Sequence, residues 1–171
     1  MSNPVAVGAV EELPREKVDE FDRALAGVLK RYPPDRKAAA MLLALRLGQE
    51  LFGHVSPAVQ RLAADRLGVS PARAEEVATF YVMFHTEPKG RHVVEVCTNV
   101  SCCLTGAERI WEHLKGRLAL KDSGTTGDGR FTLREVECLG SCGTAPAMLV
   151  DEEMQERLTV EKVDRILGEL E

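Results

Sequence analysis

Apolar residues in the first half of the chain recur every three or four positions. Val18, Phe21, Leu25 and Val28-Leu29 line one side of a segment opened by Leu13-Pro14, the spacing that gathers side chains on one face of an α-helix. Glu12 and Glu16 stand where a helix start favours negative charge, and Pro33-Pro34 withholds the donors needed to continue past Arg31-Tyr32. From Ala38 to Leu51 the run is rich in Ala, Leu and Met and closes at Gly53, which predicts a buried helix. Ser56-Pro57 and Ser70-Pro71 each set a capping hydroxyl before a first-turn proline. They predict one helix to Leu67, stopped by Gly68, and another running through Val77 into Phe80-Tyr81-Val82-Met83-Phe84.

The period then changes. Glu87-Pro88-Lys89-Gly90 reads as a linker, and Arg91 to Val96 as a β-branched strand ending at Cys97. A helix is expected from Leu104 to Leu118, with Leu104, Ala107, Ile110-Trp111 and Leu114 on its inner face. Residues 122–129 form a glycine-rich turn without apolar content. Phe131 to Glu137 alternates apolar and polar, the mark of a half-buried strand, and delivers Cys138. Pro146 to Val150 is a third strand, and Thr159 caps a last helix carrying Val160, Val163, Ile166-Leu167 and Leu170. The acidic run Asp151-Glu152-Glu153 reads as a solvated turn. The fold class is therefore α+β: a flexible tail over residues 1–13, a helical domain over 14–87, and a small α/β sandwich over 88–171.

Charge and hydropathy narrow the partners. Lys and Arg number 22 against 27 Asp and Glu, a net charge of −5, which argues against nucleic acid, whose binding rests on basic side chains neutralising phosphates. The longest apolar run, Ala38 to Leu45, is short of the roughly 20 residues that cross a bilayer, so direct membrane insertion is not expected. Met1 to Gly8 lacks a basic region and is followed by Glu11 and Glu12, unlike a secretion signal. Five cysteines without such a signal fit a reducing compartment better than a disulfide framework.

Four of those cysteines make two clusters, Cys97-Thr-Asn-Val-Ser-Cys102 and Cys138-Leu-Gly-Ser-Cys142, each directly after a strand. Sulfurs at neighbouring strand ends lie at one sheet edge. Thiolates are soft ligands that repel one another unless a cation binds them. An iron-sulfur cluster and a closed zinc site of four thiolates both fit the spacing, the second as a purely structural element. A thioredoxin-type redox pair fits worse, since there is no C-x-x-C. Gly140 and Gly143, with Thr98, Asn99, Ser101, Ser141 and Thr144, would let main-chain donors and hydroxyls approach sulfur, and Leu104 and Leu139 would shield it from water. Glu95, Glu135 and Glu137 stand on the incoming strands with few basic neighbours, which predicts a low potential within the range of about −700 to +450 mV open to such centres.

The runs Val96 to Ala107 and Val136 to Pro146 closely resemble the E-type [2Fe-2S] subunit of the proton-pumping NADH:quinone oxidoreductase, complex I. The resemblance extends through Tyr32-Pro33, Val77-Ala78-Thr79-Phe80-Tyr81, Pro88-Lys89-Gly90 and Leu158-Thr159. It implies a thioredoxin-like ferredoxin domain with a helical extension, one [2Fe-2S] cluster, and Cys97, Cys102, Cys138 and Cys142 as its ligands. It also implies a flavoprotein partner that binds FMN and NADH, other subunits of the peripheral arm, and a cytoplasmic place at the inner face of the membrane through the complex. The chain would be an oxidoreductase subunit without a complete active site. Subunits of NAD-linked hydrogenases or formate dehydrogenases share this domain and are the alternative; a zinc-binding interaction module is the alternative of another kind. Cys103 departs from the pattern, where an apolar residue is expected. Neighbouring helical residues point about 100° apart, so Cys102 and Cys103 cannot both reach one iron, and Cys103 reads as a small buried hydrophobe, with ligand or reactive thiol as its other roles.

The remaining candidates are weaker. His54, His85, His92 and His113 lie on separate elements and read as surface or satisfied residues, and Phe80, Tyr81 and Phe84 as packing whose exposed members offer a docking face for the flavoprotein. No G-x-G-x-x-G links a strand to a helix, which sends NADH and FMN to a partner.

Overall fold

A computed structural model describes residues 12–170, in two compact units that meet between Pro88 and Lys89. The tail expected over residues 1–13 lies, for residues 1–11, outside the described part.

The first unit is helical. α1 (Arg15–Leu29) buries Phe21 and Leu25, one turn apart. After Pro33 the chain winds as a 3-10 turn (Pro34–Ala40) with a kink at Arg36, so α2 (Met41–Phe52) begins three residues later than its alanines suggest. It closes on Gly53, whose left-handed backbone (φ 88°) lets its N–H donate to Gln49 O at 2.8 Å. α3 (Pro57–Leu67) starts under the Ser56 hydroxyl, which accepts from Val59 N, and stops at Gly68. α4 (Pro71–Phe80) has no hydroxyl cap from Ser70, contrary to its sequence, and ends well before Phe84. The reason is Gln49 of α2: its amide donates to Met83 O (3.0 Å) and accepts from His85 N (2.7 Å), bonds that replace a further helical turn. Only Phe84 of the aromatic trio joins the core, with Phe21, Leu45, Val55 and Val59; Phe80 is 75% exposed.

The second unit is a five-stranded sheet with helices. β1 (His92–Cys97) leads to α5 (Val100–Leu104) and α6 (Ala107–Arg117), then β2 (Gly124–Thr125), β3 (Phe131–Val136), β4 (Met148–Val150), β5 (Glu153–Gln155) and α7 (Val160–Glu169). The spatial order is β2-β3-β1-β4-β5. β1 and β3 run parallel, His92 opposite Phe131, and the other pairs are antiparallel. Val94, Val96, Leu133 and Met148 from the strands pack with Ile110, Trp111 and Leu114 of α6 and Val163 and Leu167 of α7.

Two strands escape the sequence reading. β2 lies inside the glycine-rich stretch and pairs Thr125 with Thr132, whose hydroxyls bond at 2.7 Å, while Thr132 Oγ1 also accepts from Gly90 N at 2.7 Å. β5 follows directly on Asp151 and Glu152, both with positive φ (49° and 73°), which makes the expected solvated turn a two-residue hairpin loop. Asp151 is committed to β1 through bonds to Val93 N (2.8 Å) and His92 Nδ1 (2.6 Å).

Candidate iron-sulfur site

Cys97 is the last residue of β1 and stands opposite Val136, the last residue of β3. Its N–H donates to Ala147 O, and Thr98 N to Val136 O, each at 3.1 Å. The chain leaving β3 reaches Cys138 two residues later, while the chain leaving β1 enters α5 and reaches Cys102. Cys142 opens the 3-10 turn Cys142–Thr144. Cys97 and Cys102 are buried with Ala107 and Ala147, and Leu139 and Ala145 pack partly over them; Cys138 and Cys142 are exposed.

Cys97 and Cys102 are both shifted by their surroundings. Burial opposes ionisation of Cys97, yet the N–H groups of Asn99 and Leu139 and the thiols of Cys102 and Cys138 turn hydrogen bonds toward it, and its pKa falls below the ordinary thiol value. Cys102 moves the other way, because burial, the hydrogen bond and charge of Cys97 and the charge of Cys142 together outweigh the Ala147 N–H. Once Cys97 gives up its proton, the neighbouring thiol holds its own more tightly, as adjoining like charges require. A cationic centre relieves that repulsion, and soft sulfur donors suit iron or zinc. Among the described residues no three His, Cys, Asp or Glu groups are disposed around a single metal ion. Cys97 takes hydrogen bonds from the Cys102 and Cys138 thiols, whereas Cys142 acts on Cys102 through charge.

Cys103 differs from expectation. It is exposed, and its thiol donates to Thr98 O at 3.0 Å. Residues 100–104 are a separate turn of helix, ended at Thr105 and at Gly106 with φ 103°, so the single helix expected from Leu104 is broken. That turn buries Cys102 and carries Cys103 and Leu104 outward. Leu104 is 84% exposed and cannot shield the sulfurs; Leu139 is partly buried against them.

The second loop turns at Gly140 (φ 75°), whose N–H donates to Cys138 Sγ at 3.3 Å. The hydroxyls of Ser141 and Thr144, which the sequence aims at sulfur, donate instead to one oxygen of Glu156, Thr144 at 2.5 Å. These two bonds hold the Glu156 carboxyl below the usual carboxylate range. Glu156 lies fifteen residues beyond Ser141, outside both motifs, and nothing in the spacing marks it. Glu95 is partly buried, which pushes its pKa up, while Arg134 at 3.6 Å opposes that shift. Its field at the sulfurs is thus partly offset, a partnership across β1 and β3 that the linear sequence hides. Among the described residues no helix is long and apolar enough to cross a membrane.

The family model of the thioredoxin-like [2Fe-2S] ferredoxin matches residues 25–171. The NADH-quinone oxidoreductase of Rhizobium meliloti (strain 1021) has an E-type subunit, the second of that kind, that is 44% identical over 149 residues, covering 87% of this chain and 85% of the relative. Its counterpart in Rickettsia bellii (strain RML369-C) is 39% identical over 145 residues, covering 84% and 86%. Among solved structures, a chain of an NAD+-reducing [NiFe]-hydrogenase in the air-oxidised state superposes with a TM-score of 0.68 at 21% identity, over 81% of this chain and 24% of that one, a likeness of fold. The chain belongs to the thioredoxin-like [2Fe-2S] ferredoxins and, within them, to the family of E-type subunits of NADH-quinone oxidoreductase.

Proposed function

We propose that Cys97, Cys102, Cys138 and Cys142 hold one [2Fe-2S] cluster, and that the chain serves as an electron-carrying subunit of the NADH-oxidising module of respiratory complex I. The observation that carries this reading is the meeting of the two cysteine loops at the common end of β1 and β3, where Cys97 and Cys102 are buried together and the Cys102 and Cys138 thiols turn hydrogen bonds toward Cys97. NADH releases two electrons as hydride and an iron-sulfur centre takes up one, so the pair must first be split by a flavin on a partner.

The chain's own residues define the conditions of that transfer. The inner pair, Cys97 and Cys102, sits in an apolar wall that excludes water, the N–H groups of Asn99 and Leu139 favour the thiolate form of Cys97, and the Gly140 N–H donates to Cys138 Sγ. The outer pair, Cys138 and Cys142, faces solvent and is the side open to a redox partner. Val100 and Leu104 stand exposed on α5 beside Cys102, and Phe80, Val82 and Met83 on the helical unit. Such apolar surface supports docking of an FMN-bearing, NADH-binding flavoprotein subunit. In this reading residues 14–87 and 88–171 are two domains of a peripheral-arm subunit at the cytoplasmic, inner face of the membrane.

Iron, zinc and acid-labile sulfide assays with EPR on the purified chain test the proposal. The expected result is two irons, two sulfides and an EPR signal on reduction. One zinc without sulfide would replace it with the structural module.

A further inference from the structure

Glu156 lies between β5 and α7, and the segment around it is laced to the loop that carries Cys142. Its carboxylate takes the hydroxyl protons of Ser141 and Thr144, which flank Cys142, and those hydroxyl oxygens lie 2.6 Å apart. Its carbonyl accepts from Lys162 Nζ at 2.6 Å, Arg157 N donates to Thr144 O at 2.8 Å, and Leu158 N to Pro146 O at 3.0 Å. A carboxylate only accepts, so the two hydroxyl protons are shared among these three close oxygens rather than offered to sulfur.

We propose that Glu156 is a positioning residue of the iron-sulfur site, holding the Cys138–Cys142 loop in place and turning the Ser141 and Thr144 hydroxyls away from the sulfurs. The inference rests on the reading of the cysteines given above. Two consequences follow from elementary electrostatics. Hydrogen bonds to ligand sulfur raise the potential of an iron-sulfur centre, and a nearby negative charge lowers it. Glu156 acts in one direction through both, by withholding two donors and by adding one charge.

The test compares the full chain with Glu156→Gln, Glu156→Ala and Glu169→Gln, each reconstituted anaerobically. Glu169 lies at the far end of α7 and serves as the charge-loss control. Glutamine keeps an oxygen acceptor for the hydroxyls and loses the charge; alanine loses both. Iron and sulfide are assayed first, then visible circular dichroism and a mediated redox titration are recorded. Glu156→Gln should keep two irons and the parent spectrum while raising the reduced-to-oxidised ratio at fixed ambient potential about threefold, a shift of about 30 mV at 59 mV per decade for one electron. Glu156→Ala should shift further, alter the dichroism and release iron to a chelator several-fold faster. Glu169→Gln should match the parent. Loaded Glu156 variants with parent potential and chelation rate overturn the inference alone, as does an equal shift in Glu169→Gln. Should alanine prevent folding, the glutamine variant still decides. A parent chain without two irons and two sulfides overturns the reading of the site and this inference with it.

Discussion

Cys97 stands directly across the parallel ladder from Val136, each the final residue of its strand. The two chain segments therefore leave the sheet side by side, and a single register brings a cysteine pair from each to one edge. A parallel pair has no hairpin to set that register; the interleaved side chains of Val94, Val96, Phe131 and Leu133 in the core do so instead.

The opposite placement of two adjacent cysteines gives the first prediction. Cys102 is buried among the site residues, and Cys103 is exposed with its thiol on Thr98 O. Cys102→Ser should abolish or severely deplete the cluster, whereas Cys103→Ser should keep iron, sulfide and visible spectrum. Loss in the second and retention in the first would reverse the ligand assignment.

Gly140 occupies the left-handed region at φ 75°, and no neighbouring atom lies within 4 Å of the position its Cβ would take. Gly140→Ala therefore meets backbone strain rather than a clash, about 1–2 kcal/mol for an L-residue. The apo chain should unfold at a modestly lower temperature, and iron should leave the loaded chain faster. A variant as stable as the parent and with unchanged iron release would contradict this.

In the helical unit, steric fit should outweigh charge. A Cβ on Gly48 of α2 would run into Val59 Cγ1 of α3, and overpacking of this sort costs about 1–3 kcal/mol. The Arg66–Asp22 pair joins α3 to α1 with bonds of 2.7 and 3.0 Å, but both side chains are 39% exposed, so its removal should cost less than about 1 kcal/mol and less still in high salt. Denaturant titrations of Gly48→Ala and Arg66→Ala give the ranking; a larger loss for Arg66→Ala would refute it.

Asp128 sets a pH dependence. The Thr126 hydroxyl, at 2.5 Å, and the Arg130 N–H, at 3.0 Å, hold its carboxyl below the ordinary value. A depressed folded-state pKa adds stability that is complete above the unfolded value, about 3.9, and vanishes as pH falls through the folded one. The gap in melting temperature between the parent and Asp128→Asn should be full near pH 6 and shrink below about pH 4. A gap that widens on acidification would show the opposite sign.

Much of this organisation is legible in the chain. The 3.6-residue period of Phe21 and Leu25, the Ser56-Pro57 cap and the glycine stops mark α1 to α3, and alternation marks β3, because burial of one face leaves a local trace. What escapes depends on distant partners. Gln49 ends α4 from another helix, Thr132 is buried because Gly90 and Thr125 bond its hydroxyl, and β5 exists because β4 lies beside it. The cysteine clusters stand out through composition alone, whereas Glu156 is an ordinary acidic residue until the fold lays it on Ser141 and Thr144.

The parallel ladder also dates the site. His92 must find Phe131 across α5, α6 and β2, and closing so long an intervening segment costs chain entropy before any contact rewards it. On a translating ribosome the first two cysteines emerge well ahead of the second two, so the growing polypeptide offers a half-built thiol pair until β3 and the loop after it are free. A centre held by both cysteine pairs, as proposed above, would accordingly assemble only after β3 has paired with β1.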